Sequence, residues 1–267
     1  MGKKYFIVSD VHSFYDEMQK ALARNDWDIN NPDHIFVSLG DLLDRGPKSL
    51  ECLQFVNSLP KKRKILIRGN HEDLMEECLE RGYYERHDLH NGTVNTIQDV
   101  TGIQDSINNY KDQIESMKSN KEWKQYIRSC VNYAEVGNSI FVHGWIPAIP
   151  EEEREFMGKT YVTRYGYKNN WRKSKTSSWK EARWLNGMKL WSYGVDEQGK
   201  TIYCGHWHCS WGHAILHNEG VEFPLKNKAQ DTVYEANFFP FYDEGIVAID
   251  ACTVISGMVN CAIIEED

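Results

Sequence analysis

Short apolar runs that stop abruptly on an acid, an amide or an imidazole constrain this chain more than any other feature. Residues 4–9 (KYFIVS) end at Asp10, residues 34–39 (HIFVSL) give way to Gly40 and Asp41, and residues 63–68 (RKILIR) hand over to Gly69, Asn70 and His71. Runs of roughly four to eight β-branched and aromatic residues bounded by turn signals read as buried strands. Between them, Phe14 to Arg24 and Ser49 to Ser58 space their apolar residues as helices do, so the opening third reads β-α-β-α-β. Polar residues gather where strands stop and helices start.

Residues 72–130 differ. They are rich in Glu, Lys, Asn and Gln, with periodic Ile97, Ile103, Ile107, Ile114, Met117, Trp123 and Ile127, and read as a helical insertion within one domain covering 1–267. Strand-like pairs resume at Tyr133 to Val136 and Ser139 to Val142, joined by Gly137 and Asn138 as a two-residue hairpin turn, and stop at His143. A helix is expected over Ser178 to Met188. Strands are expected at Thr201 to Cys204, near Ala214 to Leu216, at Gly245 to Ile249 and at Ser256 to Ile264, with an irregular loop over Glu219 to Ala229.

With 41% hydrophobic and 26% charged residues over 267 positions, the chain can bury a real core. Its net charge of -8 argues against a protein that grips nucleic acid through phosphates, which needs clustered Lys and Arg. A local exception runs from Lys159 to Arg183, where basic residues alternate with Tyr161, Tyr165, Tyr167, Trp171 and Trp179; a solvated surface flap is the expected reading, a nucleic-acid groove the alternative. The seven cysteines form no CxxC pair and are expected as reduced thiols. The apolar run before Asp10 is too short for a signal-peptide core and no window reaches membrane-spanning length, so a soluble cytoplasmic protein is expected.

The chemistry lies in the strand ends. Taken alone, Asp10 with His12 is compatible with a turn-forming Asp and a surface His, and His143 with an isolated polar residue. GDLLDRG (40–46) sets two acids and an arginine between glycines where a strand becomes a helix, and GNHE (69–72) follows the next strand. Each could be a helix cap by itself. With GHWH (205–208) they supply carboxylate, amide and imidazole donors in a number that suits two divalent metals sharing a bridge.

These blocks resemble the calcineurin-like metallophosphoesterases, especially the phosphoprotein phosphatase branch, which includes Ser/Thr protein phosphatases and symmetrical diadenosine tetraphosphatases. GDLLDRG resembles that branch's GDxxDRG block, GNHE is its own string, VHG (142–144) resembles VHGG, and GIVAID (245–250) is similar to a C-terminal strand of the branch. The order holds over residues 5–208. The chain departs from the pattern with SDVHS in place of GDxHG and with Trp145 in place of a second glycine. The resemblance implies an α/β (α+β) fold of two mixed β-sheets packed as a sandwich and flanked by helices. It implies one metal on Asp10, His12, Asp41 and His208, and a second on Asp41, Asn70, His143 and His206. The ions would be manganese, with iron or zinc as alternatives. His71 would serve as general acid held by Asp44, Arg45 would clamp phosphate, and Arg183 is the candidate second phosphate-binding arginine, against a surface helix arginine. With those departures Trp145, Trp207 and Trp211 are candidate walls of the mouth, against packing, the commoner role of a Trp near a site.

The implied reaction is in-line hydrolysis of a phosphate ester by a hydroxide shared between the metals, on a phosphorylated protein (Ser/Thr type) or a small phosphorylated substrate. A nucleotide-directed hydrolase, acting on a dinucleoside polyphosphate or a phosphodiester, is the alternative enzyme. A non-catalytic metal-binding regulatory protein is the third reading.

Overall fold

The computed structural model describes residues 2–105, 107–222 and 236–266; of the irregular loop expected over 219–229, residues 223–229 lie outside the described residues. In chain order the strands are β1 (Lys4–Val8), β2 (His34–Ser38), β3 (Lys64–Ile67), β4 (Cys130–Val131), β5 (Ala134–Val136), β6 (Ser139–Phe141), β7 (Ala148–Phe156), β8 (Lys159–Tyr167), β9 (Thr201–Cys204), β10 (Phe241–Asp243), β11 (Ile246–Ala248) and β12 (Cys261–Glu265). The helices are α1 (Tyr15–Arg24), α2 (Ser49–Ser58), α3 (Asn70–Arg81), α4 (Arg86–Asn91), α5 (Thr93–Thr101), α6 (Tyr110–Ser119), α7 (Lys121–Ser129), α8 (Thr176–Ala182), α9 (Gly187–Ser192), α10 (Cys209–Ile215) and α11 (Thr253–Ser256).

One sheet runs β12-β1-β2-β3-β4, with β1 to β4 parallel and β12 antiparallel; the other runs β10-β11-β9-β6-β5, with β11, β9 and β6 parallel and the two edge strands antiparallel. β1, β2, β6 and β11 are buried on both faces, which is why they read as continuous hydrophobic runs. Tyr5, Ile7, Ile35 and Val37 point one way and meet Phe141, Val247 and Ile249 of the opposite sheet. Phe6, Val8, Phe36 and Leu66 point the other way, onto Met18 and Leu22 of α1, Leu53 and Val56 of α2, and Ile97, Ile114 and Trp123 of the segment after α3. Beyond the second sheet, Ile140, Ile202 and Ile246 pack on Trp145, Trp171, Trp179 and Met188. Two mixed sheets thus lie face to face with helices outside each, the expected sandwich. Burying a side chain such as Phe6 or Ile7 completely contributes about 1.5–3 kcal/mol.

Several elements depart from the sequence expectation. Ala214 to Leu216 is not a strand but the end of α10, with Leu216 N–H donating to the Gly212 carbonyl; so short an apolar run fits a helix end as well as a strand. The helix expected over 178–188 is two helices, α8 and α9, because Asn186 caps a new helix through Lys189 N–H and Gly187 sits against Trp145 and the Gly144 carbonyl, where a Cβ would collide. Ser256 to Ile264 is a strand only from Cys261, since Gly257 takes a left-handed φ of 67° after the short α11.

The segment over 159–183 divides. β7 and β8 form a largely exposed two-stranded hairpin, whereas Trp171 and Trp179 are buried, Trp179 stacking on Tyr133. Arg172 is tied to Glu135 and Glu197 rather than presented to a ligand. The seven cysteines are free, and no helix among the described residues is long and apolar enough to cross a membrane.

Candidate functional site

Parallel strands place their C-terminal ends on one edge, and here two sheets do so side by side. Asp10 follows β1, Asp41 follows β2 and Asn70 follows β3 in the first sheet; His143 follows β6, His206 follows β9 and Asp250 follows β11 in the second. The loops are wound tightly. Asp10, His12, Asp41, Asp44, Arg45 and His206 all take left-handed φ values between 49° and 74°, each costing of order 1–3 kcal/mol. Gly40, at φ 101°, could carry no side chain, because a Cβ would lie 2.6 Å from Gly69 N and 2.8 Å from His143 Nδ1.

Asp41 is the hub. Its Oδ1 accepts the His71 backbone N–H at 2.9 Å, at the start of α3, and lies 3.4 Å from His143 Nε2; its Oδ2 is 3.9 Å from the Nε2 atoms of both His12 and His71. Two groups share it: His12, Asp41 and His71, and Asp41, His143 and His206, each with donor atoms within 4.8 Å of one another. Asn70 Oδ1 adds to the second, 2.8 Å from His143 Nε2. Backbone carbonyls set the tautomers. His143 Nδ1–H donates to Leu39 O at 2.8 Å and His12 Nδ1–H to Leu43 O at 3.0 Å, so both rings present Nε2 inward. Asp10 joins the two sheets, its Oδ2 accepting from Ser9 Oγ and from His206 N–H.

The acid and phosphate candidates sit against this group. His71 Nδ1–H donates to Asp44 Oδ2 at 2.7 Å, and Asp44 is gripped by Thr93 Oγ1 at 3.0 Å and Thr96 Oγ1 at 2.8 Å. Arg45 reaches His12 Nε2 at 3.1 Å and His71 Nε2 at 3.0 Å.

Electrostatics divide the site histidines. Burial, helped by His71 and Arg45, drives the His12 pKa well below its usual value, and burial with His143 takes His206 to about 3, so both rings are neutral, the form that binds metal. For His71, Asp41 and Asp44 outweigh the opposing effect of burial and raise the pKa. For His143, burial is outweighed by Asp41, Asp10 and Glu72, which lift it to about 9. Asp41 is held well below the carboxylate range because His143, His71 and His12 overcome its burial. Oxygen and imidazole donors converging among buried carboxylates suit divalent cations.

Two expected site residues have polar partners outside these groups. His208 belongs to neither donor group; its Nδ1 lies 2.7 Å from Ser210 Oγ at the start of α10, and burial lowers its pKa to about 4. Arg183 is 4% exposed and paired with Asp73, Nε to Oδ2 at 2.8 Å and Nη2 to Oδ1 at 3.2 Å, while Arg68 holds the same carboxylate. A fork committed in this way braces α3 against the chain after α8 and is not presented to a ligand. Trp145 likewise is core, its Nε1–H donating to Val195 O, and Trp211 packs on the second core; Trp207 alone of the three lies beside His206.

Other residues here were not read from the sequence. Glu72 accepts from Asp41, Leu42 and Gly69 N–H and from Tyr126 Oη–H, clamping the GDLLDRG loop to α3. Trp184, 52% exposed, stands edge-on to His206 at 5.6 Å. Asp250 is a further buried carboxylate, its pKa raised well above normal by burial and then Asp10; the acid at the end of GIVAID repeated the signal of Asp10 and Asp41. Thr93 and Thr96 carried no signal.

Comparison with known proteins places the chain. A symmetrical bis(5'-nucleosyl)-tetraphosphatase of Pasteurella multocida is 43% identical over 67 residues, covering 25% of this chain and 23% of the relative. An asymmetrical bis(5'-nucleosyl)-tetraphosphatase of Bacillus subtilis is 40% identical over 74 residues, covering 25% of this chain and 30% of that relative. The chain therefore aligns with under a third of the length of either. A cold-active protein-tyrosine phosphatase of a psychrophilic Shewanella superposes over 100% of this chain and 76% of its own, with TM-score 0.54 and 14% identity, a likeness of fold alone. Residues 3–210 match the calcineurin-like phosphoesterases as a family, and with its paired donor groups and its two-sheet sandwich the chain belongs to that family.

Proposed function

We propose that this protein is a dinuclear-metal phosphoesterase that hydrolyses a phosphoric ester or anhydride bond of a small nucleotide, with dinucleoside polyphosphates as the substrate class. The observation that carries the chemistry is that Asp41 is shared by two donor groups, His12–Asp41–His71 and Asp41–His143–His206, with Asp44 holding His71 for the acid role and Arg45 against it. Asp10, His12 and Asp41 would hold one cation, and Asp41, Asn70, His143 and His206 the other. Two such cations lower the pKa of a shared water and neutralise phosphoryl oxygens.

The rest falls to the chain's own groups. Arg45, whose N–H groups here donate to His12 and His71 Nε2, would swing its planar fork to phosphate oxygens when a cation takes His12. His71, oriented through Nδ1 by Asp44, would carry at Nε2 the proton that the leaving oxygen takes up once Arg45, whose N–H here points at that nitrogen, turns to the phosphate. Thr93 and Thr96 fix Asp44 and thereby the ring.

Substrate class rests on the surroundings. A cleft of about 440 Å³, within the roughly 300–1,000 Å³ usual for small ligands, runs beneath the β7–β8 hairpin and is lined by Pro150, Val162, Tyr165, Glu181, Trp184 and Leu185. Trp184 connects it to His206. An aromatic wall with an acceptor such as Glu181 suits a nucleobase, and the tetraphosphatase relatives support the same class. The test is turnover by the manganese-loaded protein of diadenosine tetraphosphate, p-nitrophenyl phosphate, its bis-ester and a phosphopeptide. Highest kcat/KM on the tetraphosphate is expected. Preference for the phosphopeptide would replace this reading with a Ser/Thr phosphatase, and bound metal without hydrolysis would leave a regulatory protein.

A further inference from the structure

A second cluster of metal-binding side chains lies outside the site just described, at the far end of α10. His213, His217 and Glu219 bring one donor atom each within 4.8 Å of one another. The backbone enforces the arrangement: beyond α10, His217 N–H and Glu219 N–H fold back onto the Gly212 and His213 carbonyls, laying Glu219 beside the last helical turn.

The proton positions give the cluster its meaning. His213 is 8% exposed, and its Nε2 is 3.1 Å from the Phe239 carbonyl, which can only accept, so Nε2 carries the hydrogen. Nδ1 of the neutral ring is then a bare lone pair. It is buried without a hydrogen-bond partner and faces Glu219 Oε2 at 3.5 Å, an acceptor facing an acceptor. Such a contact is unfavourable unless a cation stands between the two atoms or the ring takes up a second proton. His217 is oriented by a carboxylate, its Nε2 lying 3.0 Å from Asp243 Oδ2, and its ring packs on Phe241 at 4.6 Å. An imidazole whose other nitrogen donates to a backbone carbonyl or a carboxylate is the usual build of a metal-ligating histidine. Access is open, because His217 and Asp243 line a surface groove of about 920 Å³.

We propose that His213, His217 and Glu219 bind one divalent cation of the zinc class, separate from the two-cation centre, with a solvent molecule completing the coordination. Two imidazoles and one carboxylate are a zinc-type set, and a fourth position open to solvent is common for it. The cation ties the end of α10 to the β10–β11 hairpin through Asp243. Since α10 begins immediately after His206, Trp207 and His208, it steadies from behind the segment that supplies His206.

The experiment is zinc binding by the full-length, metal-stripped protein, followed by isothermal titration and by metal content after desalting, for wild type, His217→Ala, Glu219→Gln and Asp41→Asn. His217 and Glu219 are exposed, so their substitution leaves the core intact. Each of those two variants is expected to bind one zinc fewer than wild type, whereas Asp41→Asn retains that zinc. Asp243→Asn should weaken this one site roughly 10- to 100-fold. Equal stoichiometry and affinity in wild type, His217→Ala and Glu219→Gln would overturn the proposal and show that His213 and Glu219 form a simple ion pair.

Discussion

Glu72→Gln tests how the site loops are held. The Glu72 carboxylate is 1% exposed and accepts four hydrogen bonds: Oε2 from Asp41 N–H at 3.0 Å and Gly69 N–H at 2.7 Å, Oε1 from Leu42 N–H at 3.1 Å and Tyr126 Oη–H at 2.8 Å. A glutamine amide keeps one oxygen. Its NH₂ is best placed toward Tyr126, whose hydroxyl can turn to accept, but Leu42 N–H is then buried without an acceptor, at a cost of about 1–3 kcal/mol. The two bonds that remain lose their charge assistance, about 1 kcal/mol more. Relief of repulsion with Asp41, which together with burial raises the Glu72 pKa, returns part of this. The net loss is about 2–3 kcal/mol, or a fall in melting temperature of roughly 5–10 °C for a chain of this size. Glu72→Ala, with three orphaned N–H groups, should fall further. Thermal melts, with amide exchange at Asp41, Leu42 and Gly69, are the assay. An unchanged Glu72→Gln melt with unchanged protection of those amides would refute the clamp.

Further outcomes rest on the same geometry. Asp44→Asn should lower kcat on an alkyl phosphate by about 10²–10⁴-fold while p-nitrophenyl phosphate, a good leaving group, suffers less; equal losses on both would remove His71 from the acid role. Trp184→Ala should raise KM for diadenosine tetraphosphate by about tenfold, since a stacked base is worth about 1–3 kcal/mol, and leave p-nitrophenyl phosphate unaffected; a parallel change on both would mean that Trp184 supports His206 instead. Arg183→Ala should destabilise by about 3 kcal/mol, because Asp73 keeps only Arg68. Normal stability with raised KM on every substrate would instead restore Arg183 as a phosphate clamp.

Legible and hidden features of the sequence divide along a physical line. The central strands were visible because both their faces are buried, so that KYFIVS and HIFVSL are unbroken apolar runs. The strand-end residues were visible because acids and histidines have little other reason to recur just where such runs stop. Hydrogen-bond partners were not. Whether Arg183 faces a phosphate or Asp73 depends on a three-dimensional neighbour 110 residues away in sequence. Thr93 and Thr96 hold Asp44 from about fifty residues away and look like any helix threonines. Short C-terminal elements were misread for want of length: Ala214 to Leu216 is apolar in a helix end as it would be in a strand, and Gly257 was not read as a break.

The central claim is that Asp41 lies in both donor groups, so that one side chain serves both cations. The direct measurement is manganese content and diadenosine tetraphosphate hydrolysis of Asp41→Asn beside wild type, both in the Glu219→Gln background so that the proposed third site does not contribute. The account predicts two equivalents with turnover in the parent, and loss of both ions together with nearly all turnover in the Asp41→Asn variant. Retention of both ions at parental affinity, or hydrolysis that persists in excess chelator, would contradict it.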